Sequence, residues 1–356
     1  MNEALALPTG LTLGYTIFKM NRKFPKLIKH YITSVILSNC LLDLSILKKY
    51  DSQDMHTIYD RWPEIAKESY ESNQEPIDFK NMSHVVFAGM GGSGALSDIF
   101  SSILSKGKIH VCVVKGYLLP KTVDSDTLVV TTSISGNTVE TLTVLKSAKR
   151  LRSKIIAFSS GGKMHQYCTN NKIEHRNIPF FHSPRSSFTS FLYSMLKVLE
   201  PVLQIKKTDV RESIIQLEDL RKKIFSGNLN ENNPSLNLAE WMNGIPLIYY
   251  PGGLQAAAIR FKNSLQENAK SHAITEDVIE ASHNGIVSWE KPSNVKPILL
   301  QGMDDYIKTK ERWKIIKEYF EINSIDYREI ISVKGSILTK LINLIYLLDY
   351  STIYLA

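Results

Sequence analysis

Residues 89–94, Gly89-Met90-Gly91-Gly92-Ser93-Gly94, spell Gly-x-Gly-x-x-Gly where a buried-strand run gives way to a helical pattern. Glycines at such a turn let backbone approach a phosphate, and the free N–H groups of a helix start face an anion. The same spacing is the dinucleotide fingerprint, which also needs an acidic residue about 20 positions on to hold the ribose hydroxyls. This chain has Lys115 and Gly116 there, which argues against a dinucleotide and leaves a phosphate cradle.

A second cradle follows in Thr131-Thr132-Ser133-Ile134-Ser135-Gly136-Asn137-Thr138-Val139-Glu140-Thr141, where hydroxyls cluster around one glycine at a helix start. Ser, Thr and Asn are also ordinary helix caps, and Glu140 suits a first turn. A single cap does not use that many hydroxyls, however. Both loops fall at the carboxyl edge of one predicted parallel sheet, the place where open α/β folds bind ligands.

The elements that must position these loops alternate along the chain. Residues 55–70 carry Ile58, Trp62, Ile65 and Ala66 at a spacing that predicts an amphipathic helix. Strands are predicted at 85–88, 109–114, 127–131 and 154–158, with helices at 95–104, 138–151 and 187–203. Such alternation means a parallel sheet covered on both faces. A charged helical stretch follows at 209–225, and residues 226–235, rich in Asn, Ser, Gly and Pro, read as a linker. Beyond it come strand 245–250, the turn Pro251-Gly252-Gly253, helix 254–270, strand 298–301, helix 306–320, strand 328–333 and helix 337–356. The expected organisation is a basic N-terminal appendage (1–54), one α/β domain (55–225), the linker (226–235) and a second α/β domain (236–356).

Composition narrows the function classes. With 356 residues, 43% hydrophobic and 22% charged, the chain is too apolar and too weakly charged for intrinsic disorder. Its net charge is +8, but residues 1–50 hold seven basic and two acidic side chains, so +5 of that excess sits in one segment. The cluster Lys19, Arg22, Lys23, Lys26 and Lys29 reads as a solvated face, with no nucleic acid or membrane as partner. Three cysteines supply neither a disulfide framework nor a paired Cys-x-x-Cys zinc site, which suits a reducing cytoplasm. The most apolar region, 31–47, is broken by Ser34, Ser38, Asn39, Asp43 and Ser45 and is not read as a membrane span. Nor does the N-terminal pattern suit a signal peptide, since the charges follow the first apolar stretch.

Gly91-Gly92-Ser93 followed by Ser133-Ile134-Ser135-Gly136-Asn137-Thr138-Val139-Glu140-Thr141 resembles the sugar isomerase (SIS) domain. From Met55 onward the chain resembles the archaeal-type bifunctional phosphoglucose/phosphomannose isomerases. Further matches are Ser160-Gly161-Gly162-Lys163, Pro184-Arg185 before a long helix, Glu267-Asn268-Ala269-Lys270, Ser282-His283-Asn284 and Leu348-Asp349-Tyr350. The resemblance implies two tandem SIS-type, flavodoxin-like domains, each a mainly parallel sheet flanked by helices. It also implies a homodimeric aldose–ketose isomerase, working without metal or other cofactor. The reaction would interconvert glucose 6-phosphate and mannose 6-phosphate with fructose 6-phosphate through a cis-enediol.

Such chemistry needs a phosphate anchor, a base for the proton shared by C1 and C2, a ring-opening group and a cation for the enediolate. The resemblance assigns the phosphate to Gly92, Ser93, Ser133, Ser135 and Thr138, the base to Glu267 and ring opening to His283 of a neighbouring subunit. Arg185 would stabilise the enediolate. Judged by its neighbours alone, Glu267 is a helix carboxylate at ion-pair spacing from Lys270, and His283 is an ordinary loop residue. Arg185 is a cation at the unfavourable end of a helix dipole, a misfit that a bound anion would relieve. A sugar-phosphate-binding protein without catalysis is the alternative reading of the same loops.

The sequence departs from the family pattern at three places. Gly285 stands where an acidic residue usually follows His-Asn, and Ser186-Ser187-Phe188-Thr189 replaces small residues after Pro-Arg, an expected change in the pocket wall. The family pattern also runs on into a short tail with a lysine aimed at the site, whereas this sequence ends at Ala356; the departure leaves three expectations open, a slow enzyme, one that recruits another cation such as Lys334, or no catalysis.

Overall fold

The computed structural model describes residues 42–79, 82–203 and 205–356. The basic cluster between Lys19 and Lys29 lies outside them. Residues 48–356 pack as one unit.

Helices α1 (Leu44–Tyr50), α2 (Met55–Asp60) and α3 (Trp62–Tyr70) come first. The single helix expected over 55–70 breaks at Arg61 (φ −95°, ψ 6°), because Pro63 has no N–H to give and its ring crowds the carbonyl four residues back. The first sheet unit follows as β1 (His84–Ala88), α4 (Gly91–Leu104), β2 (His110–Val114), β3 (Leu128–Ser133), α5 (Val139–Arg150), β4 (Lys154–Ser159), α6 (Gly162–Asn171) and β5 (Glu174–Asn177). Helices α7 (Phe188–Leu203), α8 (Lys207–Ile224) and α9 (Pro234–Trp241) lead to the second unit. That unit is β6 (Ile245–Tyr250), α10 (Gln255–Glu267), β7 (Ile274–Asp277), α11 (Val278–Ala281), β8 (Val295–Gln301), α12 (Ile307–Ile322), β9 (Arg328–Ile331) and α13 (Ile337–Leu355).

The first sheet has strand order β2-β1-β3-β4-β5 and the second β7-β6-β8-β9. All the pairings are parallel, for example Val86 with Val129 and Ile248 with Ile298. Order 2-1-3-4-5 is the flavodoxin type, with its ligand crevice where chain direction across the sheet reverses, between β1 and β3. Both sequence cradles leave the sheet at that crevice. The central strands form as expected because Val85, Val86, Phe87 and Leu128 through Val130 are buried on both faces.

An aromatic column ties the early helices to the last one. Tyr59 stacks on Trp62 at 4.5 Å between centroids, Trp62 on Tyr346 at 5.3 Å, and Phe188 lies against Trp62 at 6.1 Å. Tyr346 Oη donates to the Tyr59 carbonyl (2.7 Å) and Tyr354 Oη to the Ile224 carbonyl (2.6 Å), so the polar tips of these buried rings are satisfied. Helix α13, mostly apolar along its length, is buried almost all round. It packs on α8, α9 and α10. Helix α10 in turn lies against α4 and presents Ala256, Ala257, Ala258 and Phe261 to the interior.

Candidate active site

The first cradle is built on glycines with distinct steric reasons. A Cβ on Gly89 would come within 2.9 Å of Ser93 backbone, and one on Gly94 within 3.0 Å of the Gly89 carbonyl, so the strand can turn into α4 only with both bare. Lys115 pairs with Asp98 where a dinucleotide fold would need an acid, in keeping with the reading against that ligand. Ser93 is buried, and its Oγ accepts from the Ile134 N–H at 3.3 Å, joining the first cradle to the second.

In the second cradle, Ser133 Oγ and Thr138 Oγ1 face each other at 2.9 Å across the turn. Ser135 is exposed at its outer rim and Thr138 is half-buried. Gly136 has φ +69°, and a Cβ there would fall 1.9 Å from the Gly161 carbonyl oxygen. The Ser160–Lys163 segment buttresses this turn from behind. Ser160 N–H donates to the Ile134 carbonyl (3.0 Å), Lys163 N–H to Asn137 Oδ1 (3.1 Å) and Met164 N–H to the Gly136 carbonyl (2.8 Å).

Arg185 opens the chain into α7. Its turn is anchored by Trp62 Nε1, which donates to the Ser186 carbonyl (3.1 Å), and by Ser186 Oγ, which donates to the Phe181 carbonyl (2.7 Å). The expected change in pocket wall is therefore corrected: Ser186, Ser187, Phe188 and Thr189 are fully buried, with both serine hydroxyls spent on holding the turn. The Arg185 guanidinium instead points outward and donates from Nη1 to Glu267 Oε2 at 3.1 Å, with side-chain exposures of 30% and 51%. Its Nε is buried and has no hydrogen-bond partner among the described residues.

Glu267 is the last residue of α10. Lys270 does not take its carboxylate, as sequence spacing suggested, but turns back in the left-handed region (φ 54°) to donate to the Glu267 carbonyl at 2.6 Å. That leaves the carboxylate to Arg185. Asn268 Nδ2 holds Thr352 Oγ1 at 2.8 Å and so fixes the end of α10 to α13. The Arg185 and Pro184 carbonyls adjoin the first cradle: Arg260 Nη2 donates to Arg185 O at 2.9 Å, and a Cβ on Gly92 would lie 3.8 Å from Pro184 O. Cradle, arginine and carboxylate thus share one neighbourhood.

His283 stands apart. It follows α11 on an exposed turn, and its imidazole makes no hydrogen bond among the described residues. A side chain at Gly285 would meet the Glu276 carboxylate, 2.8 Å from its Cβ, so β7 already supplies an acid beside that turn. The Glu276 carboxyl is raised above its ordinary range, by burial first and then by Glu280. Lys334 does not join Arg185 and Glu267. It acts on Asp304, at a cavity of about 480 Å³ lined by Gly252, Gly253 and Lys340 at the opposite end of α10. Among the described residues no three His, Cys, Asp or Glu gather as a metal would require, and no helix is long and apolar enough to cross a membrane.

Sequence reading singled out Asp349 within a family match but missed Arg260 and the buried ion pair the two form beneath this site, with N–O distance 2.6 Å. The available signal was Asp349 itself, the one acid in a mostly apolar helix, where it must find a partner.

Two parallel flavodoxin-type sheets with a hydroxyl-rich crevice define a double SIS-domain protein. The SIS domain pattern matches residues 78–188, and that of the bacterial phospho-glucose isomerase C-terminal SIS domain matches residues 231–356. The chain is 33% identical over 313 residues to a bifunctional phosphoglucose/phosphomannose isomerase of Caldicellulosiruptor bescii, covering 83% of this chain and 90% of that protein. A protein of the same description from Thermoplasma acidophilum is 29% identical, over 77% of this chain and 83% of its own. The chain belongs to the bifunctional phosphoglucose/phosphomannose isomerase family. Among solved structures, the C-terminal domain of glucosamine-fructose-6-phosphate aminotransferase from Francisella tularensis superposes with TM-score 0.61 over 84% of this chain and 95% of its own, at 14% identity. That likeness concerns the fold.

Proposed function

We propose that this chain interconverts glucose 6-phosphate and mannose 6-phosphate with fructose 6-phosphate through a cis-enediol. The observation that carries the reading is the Arg185–Glu267 pair at 3.1 Å, held beside a crevice lined with hydroxyls. Ser133, Ser135 and Thr138, with Gly92 and Ser93, hold the phosphate, since charged hydrogen bonds of about 1.5–3 kcal/mol each anchor the end of the substrate that does not react. Glu267 removes the proton from C1 of the open ketose, or from C2 of either aldose, and returns it to the other carbon. The C–H electron pair becomes the C1–C2 double bond and negative charge grows on oxygen. Arg185, always charged and planar, takes up that charge. Rotation about C2–C3 in the enediol presents either face of C2 to one base, so both epimers are served.

His283 opens the ring, delivered from a second copy of the chain. An exposed imidazole with no hydrogen bond among the described residues suits that delivery. The test is incubation with fructose 6-phosphate, following glucose 6-phosphate and mannose 6-phosphate separately. Formation of both is expected. Thermal stabilisation by the sugar phosphate with neither product would make the protein a non-catalytic binder of the same ligand.

A further inference from the structure

Arg260 lies two turns before Glu267 on α10 and is 2% exposed. Its guanidinium is fixed on three sides. Nε and Nη2 donate to Asp349 Oδ2 at 3.1 and 2.6 Å, Nη2 also donates to the Arg185 carbonyl at 2.9 Å, and the group lies 4.1 Å over the Phe188 ring. Asp349 is itself fully buried and accepts from Ser264 Oγ at 2.7 Å and Tyr59 Oη at 3.4 Å. Burial works against the Arg260 charge, yet Asp349, Tyr59 and Glu267 together hold its pKa above the ordinary arginine value.

A buried guanidinium whose work is purely structural commits its donors to protein acceptors, because each unsatisfied one is costly. Arg260 commits only two of its three nitrogens. Nη1 has no hydrogen-bond partner among the described residues and lies 3.5 Å from where a Cβ on Gly92 would sit. Gly92 does not have a positive φ, so its backbone conformation does not require glycine. What the missing side chain does is leave Nη1 uncovered at the mouth of the first cradle.

We propose that Arg260 is a substrate-binding residue whose Nη1 donates to the oxygens at the C1–C2 end of the open hexose phosphate. The proposal rests on the isomerase reading given above. That end is favoured over the phosphate because Arg260 shares its helix with Glu267 and donates to the Arg185 carbonyl, whereas Gly92, beside Nη1, has only backbone to give a phosphate and the hydroxyls of Ser133, Ser135 and Thr138 belong to the other loop. A guanidinium already locked by Asp349 offers its free donor to growing negative charge without rearranging.

The experiment compares two ligands by calorimetry: a five-carbon aldonate 5-phosphate, whose carboxylate imitates the enediolate, and a hexitol 6-phosphate, which keeps the phosphate without that charge. Arg260→Lys keeps a cation for Asp349 but lacks the fork, and Arg260→Met with Asp349→Asn removes both buried charges together. Each is expected to weaken the aldonate about ten- to a hundredfold, the value of one charge-assisted bond, and the hexitol phosphate less than about twofold. Equal loss of both ligands, or no loss of either in a variant that melts cooperatively, overturns the proposal. The isomerase reading is judged separately by wild-type turnover of fructose 6-phosphate. A wild type that is inactive yet prefers the aldonate through Arg260 would remove that reading and leave this contact standing.

Discussion

Arg185 Nη1 and Glu267 Oε2 meet at 3.1 Å across 82 residues of sequence, the arginine from the turn that leads into α7 and the carboxylate from the end of α10. Each sits at a helix terminus whose dipole disfavours its charge, since a cation gains nothing at an N-terminus nor an anion at a C-terminus. Their mutual attraction offsets that. Both side chains are also partly open to solvent, and a pair so exposed adds little to stability. An arrangement that helps the fold so little is better explained by what it does to a ligand.

Glu267→Gln is isosteric and keeps an oxygen for Arg185, but the amide cannot accept a proton from carbon. We expect turnover to fall by about 10²–10⁴, the usual contribution of a general base. Stabilisation by fructose 6-phosphate in thermal melts should persist. Joint loss of turnover and stabilisation would show that the carboxylate serves binding.

Arg185→Gln removes the charge while keeping a donor. If the guanidinium acts on the enediolate, kcat falls by about 10²–10³ with KM little changed. A rise in KM alone at constant kcat, read from initial rates, would place the arginine in ground-state binding.

Gly136→Ala forces an L-residue to φ +69° and drives a methyl into the Gly161 carbonyl. The conformational strain alone is about 1–3 kcal/mol, and the collision adds to it. Urea denaturation should show a lower midpoint at unchanged slope. Phosphate affinity should drop as well, because the turn carrying Ser133 and Thr138 must shift.

His175 carries a pH dependence. Burial first, then His165 and Arg176, push its pKa down to about 4, while Ser159 Oγ lies 2.8 Å from its Nε2. The unfolded chain, with a histidine pKa of about 6.5, binds more protons than the folded one between those values, so stability rises with pH there. The contribution is complete above about pH 6.5 and is lost as pH falls toward about 4. His84 is shifted in the same direction, by burial and by His110. His175→Gln should therefore flatten, without abolishing, the fall in melting temperature between pH 6.5 and 4.5. An unchanged slope would contradict the assignment.

Sequence pattern was most legible where both faces of a strand are buried. Strands β1, β4 and β6 emerge at nearly their full length, because continuous apolar runs have no other economical placement. The edge strands β5, Glu-His-Arg-Asn, and β7, Ile-Thr-Glu-Asp, lack such runs, since an edge buries little and need not be apolar. Helix α6 escaped for a related reason: only Met164 and Cys168 face inward. Helix α9 begins inside the expected linker, where Asn233 Oδ1 accepts from Ser235 and Leu236 N–H groups and Pro234 occupies the first turn. At the site, the hydroxyl cradles are local sequence and could be read directly. The Arg185–Glu267 pair is not local, and nearby Lys270 offered a plausible but mistaken partner for the carboxylate.

The most direct test of the central claim is to run the wild-type reaction on fructose 6-phosphate in D₂O and examine C2 of the products by NMR. A proton that passes through a carboxylate at a half-exposed site exchanges in part with solvent, so deuterium at C2 of both glucose 6-phosphate and mannose 6-phosphate is expected. Glu267→Gln should abolish product and exchange together. Products formed with no deuterium at C2, or a Glu267→Gln variant as active as the wild type, would contradict an enediol mechanism with Glu267 as its base.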